Sequence, residues 1–143
     1  MHLRSAASEI IRAALQSALP DEAVRRALGA HPLHGDVYLV AIGKAAFQMA
    51  RAAVACQPVK DGVVITKYGH AAGEIPGVRV FEAAHPVPDE NGRRATQAAI
   101  DMVSGLTETD TVLFLVSGGG SALFEKPLVP DAEMADITRQ LLA

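Results

Sequence analysis

Lys44, Lys67 and His85 each stand just after a run of apolar residues. A fourth such run, within VLFLVSGGGSALF over residues 112–124, ends in three glycines bracketed by Ser117 and Ser121. Glycine adopts positive φ freely and has no Cβ, so the amides around Gly118, Gly119 and Gly120 can turn toward one point and approach an oxyanion closely. A helix starting near Ser121 would add the positive end of its dipole. Phosphate or carboxylate is the ligand chemistry that fits. The same three glycines also suit a tight turn that packs a helix onto a sheet, and spacing alone does not choose between the two.

Lys44 would be costly to bury unpaired at the end of an apolar strand, and its charge opposes the dipole of a helix that begins there. An anionic ligand accounts for it better than an ordinary helix start. Lys67 fits a solvated rim position as well as a ligand contact. His85, ahead of Pro86, and His70 have the chemistry of acid–base groups, but no HxxxH or HxH spacing marks a metal site, and a satisfied loop histidine explains each. Asp89, Glu90 and Asn91 precede a helix, so capping accounts for one of them and leaves two as ligand contacts.

Named nucleotide motifs are absent. Leu123 occupies the last glycine position of GxGxxG, and no acidic residue follows about 20 positions on to hold a ribose. Tyr38 stands where the first glycine of a P-loop would be, and Ala45 replaces its Ser/Thr. No GxSxG makes Ser121 a hydrolase nucleophile.

These residues need a frame. The runs DVYLVAIG (36–43), GVVIT (62–66), VRVFEA (78–83) and TVLFLVS (111–117) predict four strands. Being unbroken apolar runs, they read as buried on both faces, which means a mainly parallel sheet covered by helices, an α/β fold. KAAFQMARAAVA predicts a helix after the first strand, and Ala95, Ala99, Met102, Val103 and Leu106 mark one face of another. At the start of the chain, Ile10, Ile11, Ala14, Leu15 and Ala18 predict a helix ended by Pro20. DEAVRRAL predicts a second, closed by Gly29, and both are assigned to the scaffold. The connection KYGHAAGEIPG is too short and glycine-rich for a crossover helix, so strands two and three are expected to pair irregularly or antiparallel. If the strand order is 3-2-1-4, Lys44 stands beside the glycine loop, at the carboxyl edge where open α/β sheets bind ligands.

A chain of 143 residues suits one core. Its 13 basic and 16 acidic residues, net charge −3, lie scattered, which argues against a nucleic-acid surface. Cys56 is the single cysteine, so an internal disulfide is excluded; a reducing compartment fits, and the cytoplasm is expected. No apolar run reaches the ~18 residues of a membrane span. PDAEMADITRQLLA reads as a helix without a stop signal, so the chain is expected to be a fragment.

Taken in order and at these spacings, VAIGKAA, GVVITKYGH, FEAAHPVPDENG and FLVSGGGSALF resemble the amino-terminal domain of the class II glycerate kinases, whose second domain is known as MOFRL. The resemblance runs from the first helix to the end of the chain. It implies a Rossmann-like, three-layer α/β/α first domain of a two-domain enzyme, incomplete here and lacking MOFRL. It also implies ATP- and Mg²⁺-dependent phosphoryl transfer to D-glycerate, giving 2-phosphoglycerate. Lys44 matches the lysine of the family's GKAA motif, and Ser117, Gly118, Gly119, Gly120 and Ser121 match its glycine-rich loop. Lys67, His85, Asp89 and Asn91 match positions in its other motifs; the metal ligands are left unassigned. Alone, such a piece is expected to be inactive and to be a possible homo-oligomer, docking apolar surface on another copy. Two other readings stand beside it. One is NAD(P)H-dependent hydroxypyruvate reduction, a label several relatives carry, and the other a non-catalytic module that binds small acids.

Overall fold

The computed structural model describes residues 3–143. Two helices, α1 (Leu3–Ser17) and α2 (Pro20–Ala30), precede β1 (Val37–Ile42), α3 (Ala46–Cys56), β2 (Asp61–Lys67) and β3 (Val78–Ala83). Then follow α4 (Glu90–Val103), β4 (Thr111–Val116), a single turn α5 (Gly120–Leu123) and α6 (Asp131–Leu141). The strands form one parallel sheet in the order β3-β2-β1-β4. This is the α/β architecture expected from the apolar runs, with helices on both faces.

Burial explains why those runs carry so little polarity. Leu39 and Ala41 of β1 and Val64 of β2 face Ala46, Phe47 and Ala50 of α3. Val40 and Ile42, with Val63 and Ile65, face Ala95 and Ala99 of α4 and Leu123 of α5. Strands two-sided in this way exclude water from both surfaces. The small side chains Ala46, Ala50 and Ala53 of α3 are fully buried, so the helix can pack closely against its neighbours.

Three expectations need correction. The β2–β3 pair is parallel, with Gly62 opposite Val78 and Lys67 opposite Ala83, although no helix connects the strands. A plug replaces the crossover helix: Ile75 of the connection is buried against the same cluster that α3 covers. Gly69, Gly73 and Gly77, all at positive φ, let the short connection double back. Second, Pro20 opens α2 rather than only ending α1, since its missing N–H costs nothing in a first turn, and Gly29 lies inside α2 instead of closing it. Third, α1 is not scaffold among the described residues. It buries no residue, and Ile10, Ile11 and Leu15 are exposed, whereas α2 docks Val24 onto Ala52 and Ala53 of α3.

The edge strand β4 pairs with β1 alone. Its Val112, Phe114 and Val116 remain 44–58% exposed, an apolar stripe unlike the sealed faces of β1 and β2. Among the described residues no helix is long and apolar enough to cross a membrane.

Candidate functional site

The parallel register sets the carboxyl ends of the strands level, with Ile42 opposite both Ile65 and Val116. The segments leaving β1, β2, β3 and β4 therefore start along one edge of the sheet. Lys44, Lys67, His85 and the loop Ser117–Ser121 lie on those segments, so the strand order brings together residues far apart in the chain.

The turn after β1 and the glycine loop after β4 are laced to each other. Ser117 donates its backbone N–H to the Ile42 carbonyl at 2.9 Å, and the Lys44 N–H donates to the Gly118 carbonyl at 3.0 Å. Ser117 Oγ accepts from the Ala45 N–H at 3.0 Å and donates to the Ile42 carbonyl at 3.2 Å. The Ser117 hydroxyl is thus turned inward as a clamp. With its N–H and its hydroxyl both committed to the strand ends, Ser117 braces the predicted cradle and adds no free donor to it. The Lys44 carbonyl accepts from His70 Nδ1 at 3.1 Å, so the lysine's backbone is held from both sides.

With its backbone fixed, the exposed Lys44 side chain leans over the loop: a Cβ built on Gly119 would stand 3.4 Å from Lys44 Cε. The same Cβ would stand 2.9 Å from His85 Nε2. Gly119, at φ 87°, is where lysine, imidazole and loop meet, and it has no room for a side chain. The Gly118, Gly119 and Ser121 amides donate to no backbone carbonyl among the described residues, so they remain available to an oxyanion. The predicted helix after the loop is the one-turn α5, too short for a developed dipole. Any anion held here is held by the loop's own amides and Lys44. Gly120 instead packs against Ile42, and Ser121 is exposed.

Partial burial, followed by the positive charges of Lys44 and Lys67, pushes His85 below the usual histidine range, with its own backbone carbonyl acting the other way. The neutral imidazole is favoured over the imidazolium. Lys67 reaches this cluster through its field on His85.

Asp89 and Asn91 turn elsewhere. Asp89 Oδ1 caps α4 by accepting the Gly92 N–H at 2.9 Å, while Oδ2 accepts the Tyr68 hydroxyl at 2.6 Å. Asn91 Nδ2 donates to the same Tyr68 oxygen at 2.7 Å. Burial works against the Asp89 carboxylate, but the hydrogen bonds from Tyr68, Gly92 and Ala84, aided by Arg93, outweigh it and hold the carboxyl below the usual aspartate range. A group so lowered stabilises the fold above its unfolded-state pKa, and the contribution is lost as pH falls through the folded-state value. Asp89→Ala is therefore expected to cost about 1 kcal/mol near neutral pH, the usual worth of such a cap. Urea melts at neutral and strongly acidic pH check this. The gap between variant and wild type should close in acid, and a gap independent of pH would count against the assignment.

Sequence reasoning missed Tyr68, which ties Asp89 and Asn91 together, and Glu82. The Glu82 carboxylate accepts the His70 and Ala71 amides at 3.0 and 2.9 Å and staples the β2–β3 connection. No motif spacing announces either. A groove of about 860 Å³ lies along that connection, lined by residues such as Ile75, Val78, Val80 and Glu82. Its lining includes none of Lys44, Lys67, His85 or the glycine loop, whereas Lys44 of the cluster is exposed.

A magnesium site does not assemble from these residues. Among the described residues no three His, Cys, Asp or Glu side chains converge, and Asp89 has both oxygens engaged. No step is assigned to the ion.

Comparisons with known proteins agree with this frame. D-glycerate 2-kinase of Thermotoga maritima is 46% identical over 144 residues, covering 98% of this chain and 34% of the relative. Human glycerate kinase is 34% identical over 173 residues, covering 100% of this chain and 33% of its own length. The crystal structure of the Thermotoga maritima glycerate kinase superposes with a TM-score of 0.91, again over 98% of this chain and 34% of that one. The chain thus spans about a third of the length of the curated relatives it matches. Residues 6–143 match the family described as Domain of unknown function (DUF4147). With its motifs, its sheet and its relatives in agreement, the chain belongs to the DUF4147 family, the amino-terminal domain of the class II glycerate kinases.

Proposed function

We propose that this chain is the amino-terminal part of a two-domain enzyme that transfers the γ-phosphoryl group of ATP to the 2-hydroxyl of D-glycerate, giving 2-phosphoglycerate. The observation that carries the reading is the meeting of Lys44 with the open amides of Gly118, Gly119 and Ser121 at the level ends of β1 and β4. Phosphoryl transfer asks the protein mainly to position reactants and to stabilise spread negative charge. A lysine on a fixed backbone beside unpaired amides supplies both.

In this reading the loop amides and Lys44 hold an oxyanion, either the carboxylate of glycerate or the phosphoryl group in transit. Lys67 adds positive field, and His85 lines the same rim. Asp89 and Asn91 act at one remove, by fixing Tyr68 and the start of α4. In this reading the facing wall of the cleft is contributed by a carboxyl-terminal domain, the MOFRL domain of the family the motifs resemble. Magnesium ordinarily travels on the nucleotide's phosphates, with few protein ligands of its own. The cytoplasm is the expected setting.

The test is an assay of the full-length enzyme with D-glycerate, ATP and Mg²⁺ that separates 2- from 3-phosphoglycerate, with NADH and hydroxypyruvate run in parallel. ATP-dependent formation of 2-phosphoglycerate is expected. Oxidation of NADH without phosphorylated product would replace the reading with a reductase, and binding of glycerate without turnover would reduce it to a binding module.

A further inference from the structure

We propose that His85 is the general base of this reaction, accepting through Nε2 the proton of the acceptor hydroxyl as that oxygen attacks the γ-phosphorus. The proposal rests on the kinase reading above. Its geometric basis is the contact at Gly119. Nε2, rather than Nδ1, faces the glycine at the centre of the loop, 2.9 Å from where a Cβ would be, with Lys44 Cε 3.4 Å from the same point. Among the described residues Nε2 has no hydrogen-bond partner, in contrast to His70, whose Nδ1 is committed to the Lys44 carbonyl. An oxyanion held by the Gly118 and Gly119 amides would lie at the edge of the imidazole. A hydroxyl attacking such a group falls within hydrogen-bond range of Nε2, the first requirement of a base.

Charge and protonation state agree with the role. The groups facing His85 are Lys44 from the end of β1 and Lys67 from the end of β2, both of which disfavour an imidazolium. Asp89, four positions on, is turned to Tyr68 and Gly92 and does not pair with the ring. A neutral imidazole at working pH is an acceptor, whereas Lys44 and Lys67 have only protons to donate.

The step balances. The hydroxyl O–H bond breaks and its proton passes to Nε2. The oxygen's electron pair forms the new O–P bond, and the bridging P–O bond breaks with its pair leaving on ADP. The proton then returns to water.

The experiment uses the full-length enzyme with His85→Gln and His85→Gly, assayed with D-glycerate and ATP across pH. Wild type should lose kcat/KM as pH falls through the lowered His85 pKa. His85→Gln should reduce kcat by roughly 10²-fold or more, the usual worth of a positioned base, shift both KM values by less than about threefold, and flatten the acid limb. Added imidazole should restore part of the turnover of His85→Gly. Retention of kcat within about threefold in either variant, or an unchanged acid limb, overturns the proposal. So does loss of kcat in both variants with no rescue by imidazole while circular dichroism shows them folded. If either variant fails to fold, the other, with wild type's acid limb, decides. Wild type that forms no phosphoglycerate instead overturns the kinase reading itself.

Discussion

Gly43→Ala is expected to destabilise the enzyme by about 2–6 kcal/mol, combining about 1–3 for left-handed backbone strain with about 1–3 for overpacking. Gly43 sits at φ 108°, and a Cβ there would overlap the hydroxyl and carbonyl oxygens of Ser117 and lie 2.8 Å from its carbonyl carbon. Those atoms are backbone or clamped, so nothing flexible can swing aside. To make room, the ends of β1 and β4 must part, which breaks the Ser117 bonds to Ile42 and Ala45 and the Lys44 bond to Gly118. With native domains stable by only ~5–15 kcal/mol, such a loss takes much of the margin. Gly69→Ala is the control: its φ of 77° imposes similar strain, but nothing lies within 4 Å of the added methyl. Denaturant melts of both variants isolate the overlap. A Gly43→Ala cost no larger than that of Gly69→Ala would show that the two strand ends are not locked together.

Lys44→Ala should behave in the opposite way, with catalysis lost and stability kept. The side chain is exposed and makes no hydrogen bond or ion pair among the described residues, while the backbone bonds of Lys44 to Gly118 and His70 survive the change. Turnover should fall on the order of 10²–10³-fold, as when one preorganised donor to a developing oxyanion is removed. Lys44→Arg should not restore it fully, because a planar guanidinium fork does not reproduce the compact ammonium of a side chain whose Cε stands 3.4 Å from where a Gly119 Cβ would be. kcat/KM and a thermal melt on the full-length enzyme separate the two effects. Unchanged turnover in Lys44→Ala would remove the lysine from the chemistry.

Much of this frame was legible in the residues because burial writes a strong signal. VYLVAI of β1 and GVVIT of β2 are apolar because both faces are sealed, and the strand order that would seat Lys44 beside the glycines is the one observed. What escaped depends on partners remote in sequence. The parallel β2–β3 pair could not be read because a single buried side chain, Ile75, replaces the crossover helix. Tyr68 carries no motif, and its bonds reach residues 21 and 23 positions away. The orientation of the Ser117 hydroxyl, inward to Ala45 and Ile42, is a matter of rotamer rather than residue type. His85 was legible as a candidate, but only its position at Gly119 distinguishes it from His70.

The central place of β1 also imposes an order in time. Its partner on one side, β2, begins at Asp61, but its partner on the other pairs Thr111 with Val37, 74 positions later. β4 begins 50 positions after β2, so at roughly 5–20 residues per second about 3–10 s of synthesis separate those two partners. Throughout that interval a nascent chain carries β1 with one lateral edge open, and the Lys44 N–H lacks the Gly118 carbonyl that fixes it. The candidate site is thus a late event on the ribosome, closed by the same loop that would bind the substrate. Pauses in translation upstream of Thr111 lengthen the exposure of a strand whose residues are almost all buried in the finished sheet.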